Sequence, residues 1–266
     1  MEPELEEVSH KFAWLNFACA RGEFASCAAL LLELKVLLTK FTSLPPSFEK
    51  TPNAVQELKI ARAIYEQAVI LSIKVKDQDA FKRNFCQLKS FYMDARGMIV
   101  PSPDEYPIVG LNLLSLLAEN RIAEFHVELE LLSPEALGHS CIRYVLDLER
   151  SFMEGTYNRL SNACQAVPHE AYVFFMDHLA ATIRDEIADC SVHAYDYLSV
   201  PDARKMLIFT SDQELLEYIS KAQPEWDIKN RSVLCRMAKP KSRMHIHALQ
   251  QIKRIVSYAQ ELVRIV

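Results

Sequence analysis

Glycine is nearly absent from this chain, with five in 266 residues. That scarcity excludes the phosphate-cradling loop and the dinucleotide fingerprint, both of which need clustered glycines so that backbone N–H groups can approach a phosphate. It also argues against a β-sandwich, whose many tight turns are rich in glycine. No apolar run reaches the roughly 18 residues that a membrane-crossing helix needs. The opening MEPELEEVSH is acidic, where a secretory signal is basic and then apolar. The expected setting is intracellular, cytoplasmic and nuclear. Seven cysteines, an odd number without Cys-x-x-Cys spacing, predict reduced thiols that act mostly as small buried apolar residues.

Half of the residues are hydrophobic and 24% are charged, enough for one elongated domain or two compact ones. Up to residue 170 the pattern is helical, and a loose repeat runs through it. A short polar turn is followed by an aromatic and then by apolar residues at helical spacing: Gly22-Glu23-Phe24 leading to Leu31, Asp79-Ala80-Phe81 to Leu88, Ala123-Glu124-Phe125 to Leu132, and Gly155-Thr156-Tyr157 to Cys164. The aromatics lie 57, 44 and 32 residues apart. Such spacing excludes a strict array of about 34 residues per repeat but suits stacked helical hairpins with insertions. Thr42 to Pro52, with Leu44-Pro45-Pro46, reads as a loop, and a second loop surrounds Pro101, Pro103 and Pro107.

From Ala171 to Met237 the order changes. Tyr172, Met176, Leu179, Ile183 and Ile187 recur at three or four residues, which predicts one buried helix face. A second, short helix is expected around Ala194 to Leu198. Ser199 with Asp202, then Ser211 with Glu214, have capping-box spacing, so two more short helices should follow. Pro224 stops the last of them. Trp226 to Lys229 and Ser232 to Met237 read as two strands around a turn at Asn230. Helices running into a hairpin are the order of a winged helix.

Beyond Pro240 lies an amphipathic helix. Leu249, Ile252, Val256, Ala259, Val263 and Val266 step by three and four, while Ile255, Tyr258, Leu262 and Ile265 widen the apolar surface. So wide a stripe suits packing among helices of other chains, and packing back on its own domain is the alternative. The formal charge of −5 hides an asymmetry: eight Lys or Arg and no acid lie between Lys229 and Arg254, leaving the remainder at −13. A basic connector on an acidic body is either solvated or faces nucleic acid or an acidic protein surface.

Chemistry is harder to find. Cys190 and His193 lie three apart at an expected helix start, a conceivable thiolate pair, yet no third partner or nucleophile motif accompanies them. His245, His247 and Ser257 have a spacing that suggests zinc hydrolysis, but three positions beyond Ser257 stands Gln260, not a carboxylate ligand. On a helix, i and i+2 side chains also point apart. No catalytic, metal or cofactor site is therefore expected. The third helix of the winged helix, Gln213 to Gln223, sets Glu214 and Glu217 against Lys221, which makes it a poor guest in a DNA major groove. The hairpin then reads as a protein-binding edge.

A helical-hairpin array (1–170), a winged helix with an acidic third helix (171–238) and a connector with a terminal helix (239–266) together resemble the PCI-domain family. That family is found in scaffold subunits of the proteasome lid, the signalosome and a translation initiation factor. Residues 35–46 (KVLLTKFTSLPP), 120–132 (NRIAEFHVELELL), 151–158 (SFMEGTYN), 184–191 (RDEIADCS), 194–197 (AYDY) and 211–216 (SDQELL) are similar to PCI subunits of the proteasome lid. The likeness covers essentially the whole chain. It implies a mainly α fold, a right-handed TPR-like array continuing into a winged helix. It also implies a non-catalytic scaffold subunit of the regulatory particle lid, acting in ubiquitin-dependent degradation.

Partners would be other lid subunits, with no cofactor, small-molecule substrate or membrane. In that family, winged-helix sheets associate edge to edge and C-terminal helices gather in a bundle. By the match, Ser232, Val233, Leu234 and Arg236 would form the docking wing, and Leu249, Ile252, Val256 and Val263 the bundle seam. The competing readings are a PCI subunit of the signalosome or initiation factor, a nucleic-acid-binding winged helix, and a hydrolase using Cys190.

Overall fold

The computed structural model describes residues 3–156, 159, 163, 167–195, 197–209, 211–222, 226–229, 232–235 and 248–265. Among them the chain is mainly α with one three-stranded sheet, the fold class expected from the sequence. It divides into two compact units, Met1–Arg184 and Asp185–Val266.

The first unit runs through α1 (Pro3–Arg21), α2 (Phe24–Leu38), α3 (Ala54–Val75), α4 (Gln78–Met93), α5 (Glu105–Ala118), α6 (Ile122–Glu130), the single turn α7 (Pro134–Leu137) and α8 (Ser140–Met153). Neighbours in sequence pack as hairpins: α1 on α2, α3 on α4 and α5 on α6, with α5 also against α8. What recurs at the turns is a backbone motif. Gly22, Lys76, Asn120 and Gly155 have φ of 75°, 62°, 57° and 68°. After each, the next N–H reaches five residues back: Glu23 to the Ala18 carbonyl (3.2 Å), Asp77 to Ser72, Arg121 to Leu116 and Thr156 to Ser151 (each 2.9 Å). The left-handed residue itself donates three residues back. This is the Schellman closure, which satisfies carbonyls left orphaned at a helix end. Glycine adopts the left-handed backbone without steric cost at two of the four turns.

The aromatic is not the repeating element. Phe81 and Phe125 are buried, whereas Phe24 is exposed at the start of α2; Tyr157 lies outside the described residues. Thr42–Pro52 is a loop, as its prolines predict, and it is pinned where the buried Ser43 hydroxyl donates to the buried Glu57 carboxylate. The second loop ends sooner than expected. Pro107 stands in the first turn of α5, where an absent N–H leaves no intrahelical bond unmade.

One core of this unit lies among α1, α2 and α3, built on Leu5, Val8, Leu15, Leu34, Leu58 and Ile64. Further along, Phe81 meets Phe175 edge-on at 4.9 Å. Phe175 belongs to α9 (Tyr172–Ala194), whose stripe of Tyr172, Met176, Leu179, Ile183 and Ile187 is buried throughout. The Tyr172 hydroxyl donates to the Pro107 carbonyl at 2.9 Å. It lies so close to Gly110 that a Cβ there would stand 2.1 Å from it. Mid-helix glycine at that point is explained by this close approach.

The second unit continues with β1 (Tyr197–Ser199), α10 (Val200–Met206), α11 (Asp212–Ala222), β2 (Trp226–Lys229), β3 (Ser232–Cys235) and α12 (Ala248–Ile265). The helix expected around Ala194 to Leu198 is corrected here: α9 ends at Ala194 and Tyr197–Ser199 is a strand. Leu198 pairs with Val233, and both are buried; a distant partner sets the conformation of three residues too few to show a period. Both expected caps are present. Ser199 accepts the Asp202 N–H at 3.3 Å and donates to its carboxylate, while Ser211 accepts the Glu214 N–H at 3.2 Å. Pro224, Asn230 and the connector with Pro240 lie outside the described residues.

Candidate protein-interaction site

The residues that could carry chemistry are scattered or occupied. Cys190 is exposed on α9, His245 and His247 lie outside the described residues, and Ser257 and Gln260 are exposed on α12. Among the described residues no group of three or more His, Cys, Asp or Glu could hold a metal. No helix among them is long and apolar enough to cross a membrane.

One buried polar cluster occurs around the 94–104 loop. Burial raises the pKa of Glu66, opposed by hydrogen bonds from Ser102 and Tyr92; the Tyr92 hydroxyl lies 3.0 Å from its carboxylate. Burial also raises Glu105, with Arg96 at 3.2 Å as its counter-charge. Arg62 lies 3.6 Å from Glu66 and donates to the Val100 carbonyl at 2.6 Å. These ion pairs and hydrogen bonds tie the loop to α3 and α4, which is structural work.

The sheet is antiparallel with strand order β1-β3-β2, and this order corrects the expected docking edge. Ser232, Val233 and Leu234 belong to the middle strand, paired to Lys229, Ile228 and Asp227 on one side and to Ser199, Leu198 and Tyr197 on the other. Their ladder groups are therefore engaged within the unit. Val233 is fully buried and cannot offer its side chain to a partner. Arg236 lies outside the described residues. The strands with an open side are β1 and β2, and β2 is the outer strand of the hairpin. Sequence reasoning missed this because the third strand, β1, is only three residues long.

α11 carries Asp212, Glu214 and Glu217 against Lys221, with Arg204 bonded to Asp212 at 3.0 Å. Its surface is acidic, as the sequence indicates, and unsuited to phosphate.

α12 is the other candidate surface. From Ile252 to Arg264 every residue is exposed, including Ile252 at 56%, Val256 at 50% and Val263 at 77%. Ile255, Tyr258 and Leu262 are exposed beside them. Six large apolar side chains on one helix thus stand in water, while Lys253, Arg254, Glu261 and Arg264 occupy the other face. Leu249 lies within the helix. A monomeric protein seldom leaves so continuous an apolar face uncovered.

Comparison with known proteins places the chain. It is 57% identical over 267 residues, the whole of both chains, to the 26S proteasome non-ATPase regulatory subunit 8 homolog A of Arabidopsis thaliana. It is 42% identical over 266 residues, again the whole of both, to the putative homolog B of the same plant. To the 26S proteasome regulatory subunit rpn12 of Schizosaccharomyces pombe it is 31% identical over 212 residues, covering 79% of this chain and 75% of that one. The CSN8/PSMD8/EIF3K family profile matches residues 103–244, from the start of α5 through the sheet. With that match and those full-length identities, the chain belongs to the CSN8/PSMD8/EIF3K family.

Proposed function

We propose that this chain is a non-catalytic scaffold subunit of the 26S proteasome regulatory particle, in its lid, and serves ubiquitin-dependent degradation in cytoplasm and nucleus. The observation that carries the reading is the 57% identity over the full length of a relative named as a proteasome non-ATPase regulatory subunit. On this account the work of the chain is to hold neighbours together. The second unit is a winged helix whose sheet accepts a neighbouring strand at β2, where backbone N–H and C=O groups face outward. α12 inserts its apolar face among helices of other subunits, with Ile252, Val256 and Val263 in the seam and Leu249 continuing it.

The energetics favour α12 as the dominant anchor. Covering four or five large aliphatic side chains contributes about 1.5–3 kcal/mol each before ordering costs. A four-residue strand adds fewer and weaker bonds. Nucleic acid is disfavoured because the helix that would enter the groove is acidic, and Arg204 beside it is already bonded to Asp212. Affinity purification of the tagged, full-length protein followed by mass spectrometry tests the reading. Proteasome regulatory subunits should co-purify in stoichiometric amounts. Recovery of signalosome or initiation-factor subunits instead would assign it to another branch of its family.

A further inference from the structure

Several cations of the first unit are paired with carboxylates along or between its helices. Lys11 bridges Glu7 and Glu33, Lys82 meets Glu119 at 2.6 Å, Lys89 meets Glu128 at 2.6 Å, and Arg121 holds Glu119 and Glu124. Charges at helix contacts are thereby neutralised in pairs. Lys35 and Arg83 differ. Both line one cleft between α2 and the α3–α4 hairpin, of about 380 Å³, and neither forms an ion pair among the described residues. The Lys35 ammonium donates to the Asn84 side-chain oxygen at 2.5 Å. Asn84 is buried and fixed by its own bonds to Ser72 (2.8 Å) and the Ala68 carbonyl (3.2 Å). Burial, and then the charge of Arg83, lower the pKa of Lys35; Lys35 is half-buried against the Asn84 side chain, and Arg83 lies exposed on the same cleft wall. Asp77 also reaches this cleft, but its carboxylate caps α4 by accepting the Ala80 N–H at 2.9 Å.

The rest of the cleft is apolar. Leu31, Leu71 and Ala68 form its base, and Leu32 and Val75 stand exposed at its rim. Beyond Lys35 and Gln87 it continues into a second hollow of about 370 Å³ floored by Leu38, Phe41, Tyr65 and Phe91. Measured along α2 from Ala28 to Thr39, the groove is about 16 Å long, the reach of about five extended residues.

We propose that this cleft docks a short acidic segment of a partner protein, its carboxylate between Lys35 and Arg83 and apolar side chains on either side. Charge complementarity selects the occupant: an unpaired dication at the midpoint of an apolar groove fits one carboxylate flanked by aliphatic residues. A polyanion such as nucleic acid would find only two cations here, on a body that is otherwise strongly acidic. The site belongs to the first unit and stands independently of β2 and α12.

The test uses the full chain and a fluorescein-labelled, amidated heptapeptide with a central glutamate between leucines, alongside the same peptide with glutamine at the centre. Fluorescence anisotropy should show the glutamate peptide binding at least tenfold more tightly. In the Lys35→Gln/Arg83→Gln double variant that preference should vanish while circular dichroism and melting temperature stay unchanged, since glutamine can still donate to Asn84. Leu32→Asp should weaken both peptides. Equal binding of the two peptides, a preference that survives in the double variant, or no binding at millimolar peptide would overturn the proposal. So would single-stranded DNA that binds the wild type but not the double variant while neither peptide binds.

Discussion

Leu179 in α9 is fully buried, while Val263 in α12 is 77% exposed. Both belong to stripes of apolar residues stepping by three and four along a long helix. In α9 the stripe is buried within its own chain, with Phe175 beside it edge-on to Phe81, Tyr172 tied to Pro107 and Thr182 donating to the Ala118 carbonyl at 2.6 Å. In α12 the face meets solvent. The difference teaches that periodicity specifies a helix and its apolar face, whereas what covers that face depends on tertiary or quaternary partners.

The sharpest way to break the comparison is truncation of one residue in each stripe. Leu179→Ala removes a fully buried side chain and should destabilise the isolated chain by about 2–5 kcal/mol in urea unfolding. Ile252→Ala in α12 should change it by no more than about 0.5 kcal/mol. Equal losses would mean that α12 is part of the chain's own core.

A smaller effect is expected where α5 and α9 meet. Gly110→Ala would thrust a methyl against the buried Tyr172 hydroxyl and should cost about 1–3 kcal/mol by overpacking. Replacing Tyr172 by Phe in the same protein should recover part of that loss, because the clashing oxygen is gone. No recovery would place the strain elsewhere.

The smallest effect concerns pH. Burial raises the Glu66 pKa in the folded chain above its ordinary value of 4.5, so the native state holds its proton more tightly than the unfolded state. That contribution to stability is complete below 4.5 and is lost as pH rises through the raised value. Glu66→Gln, which stays neutral, should therefore gain stability relative to the wild type as pH rises from 4.5 through the raised value. A stability difference that does not vary with pH would reject the desolvation account.

Local signals were readable wherever the physics is local. The α9 stripe, the Ser199 and Ser211 caps, and the β2 and β3 strands are each determined within a few residues. The hairpin turns were half readable: Gly22 and Gly155 mark left-handed closures, but Lys76 and Asn120 adopt the same backbone without glycine, held by the helices they join. β1 and the central position of β3 were not readable, because Leu198 becomes a strand only through Val233. The Lys35 and Arg83 cleft was hidden for the same reason, being assembled by helices far apart in the chain.

The central claim is that α12 exists to be covered by other proteins. Ending the chain at His247 and following both the melting temperature of the purified protein and its recovery in proteasome regulatory particles tests it directly. The account predicts a melting temperature within about 2 °C of the full chain together with loss of incorporation. A large thermal loss in the isolated protein, or normal incorporation without the helix, would contradict it.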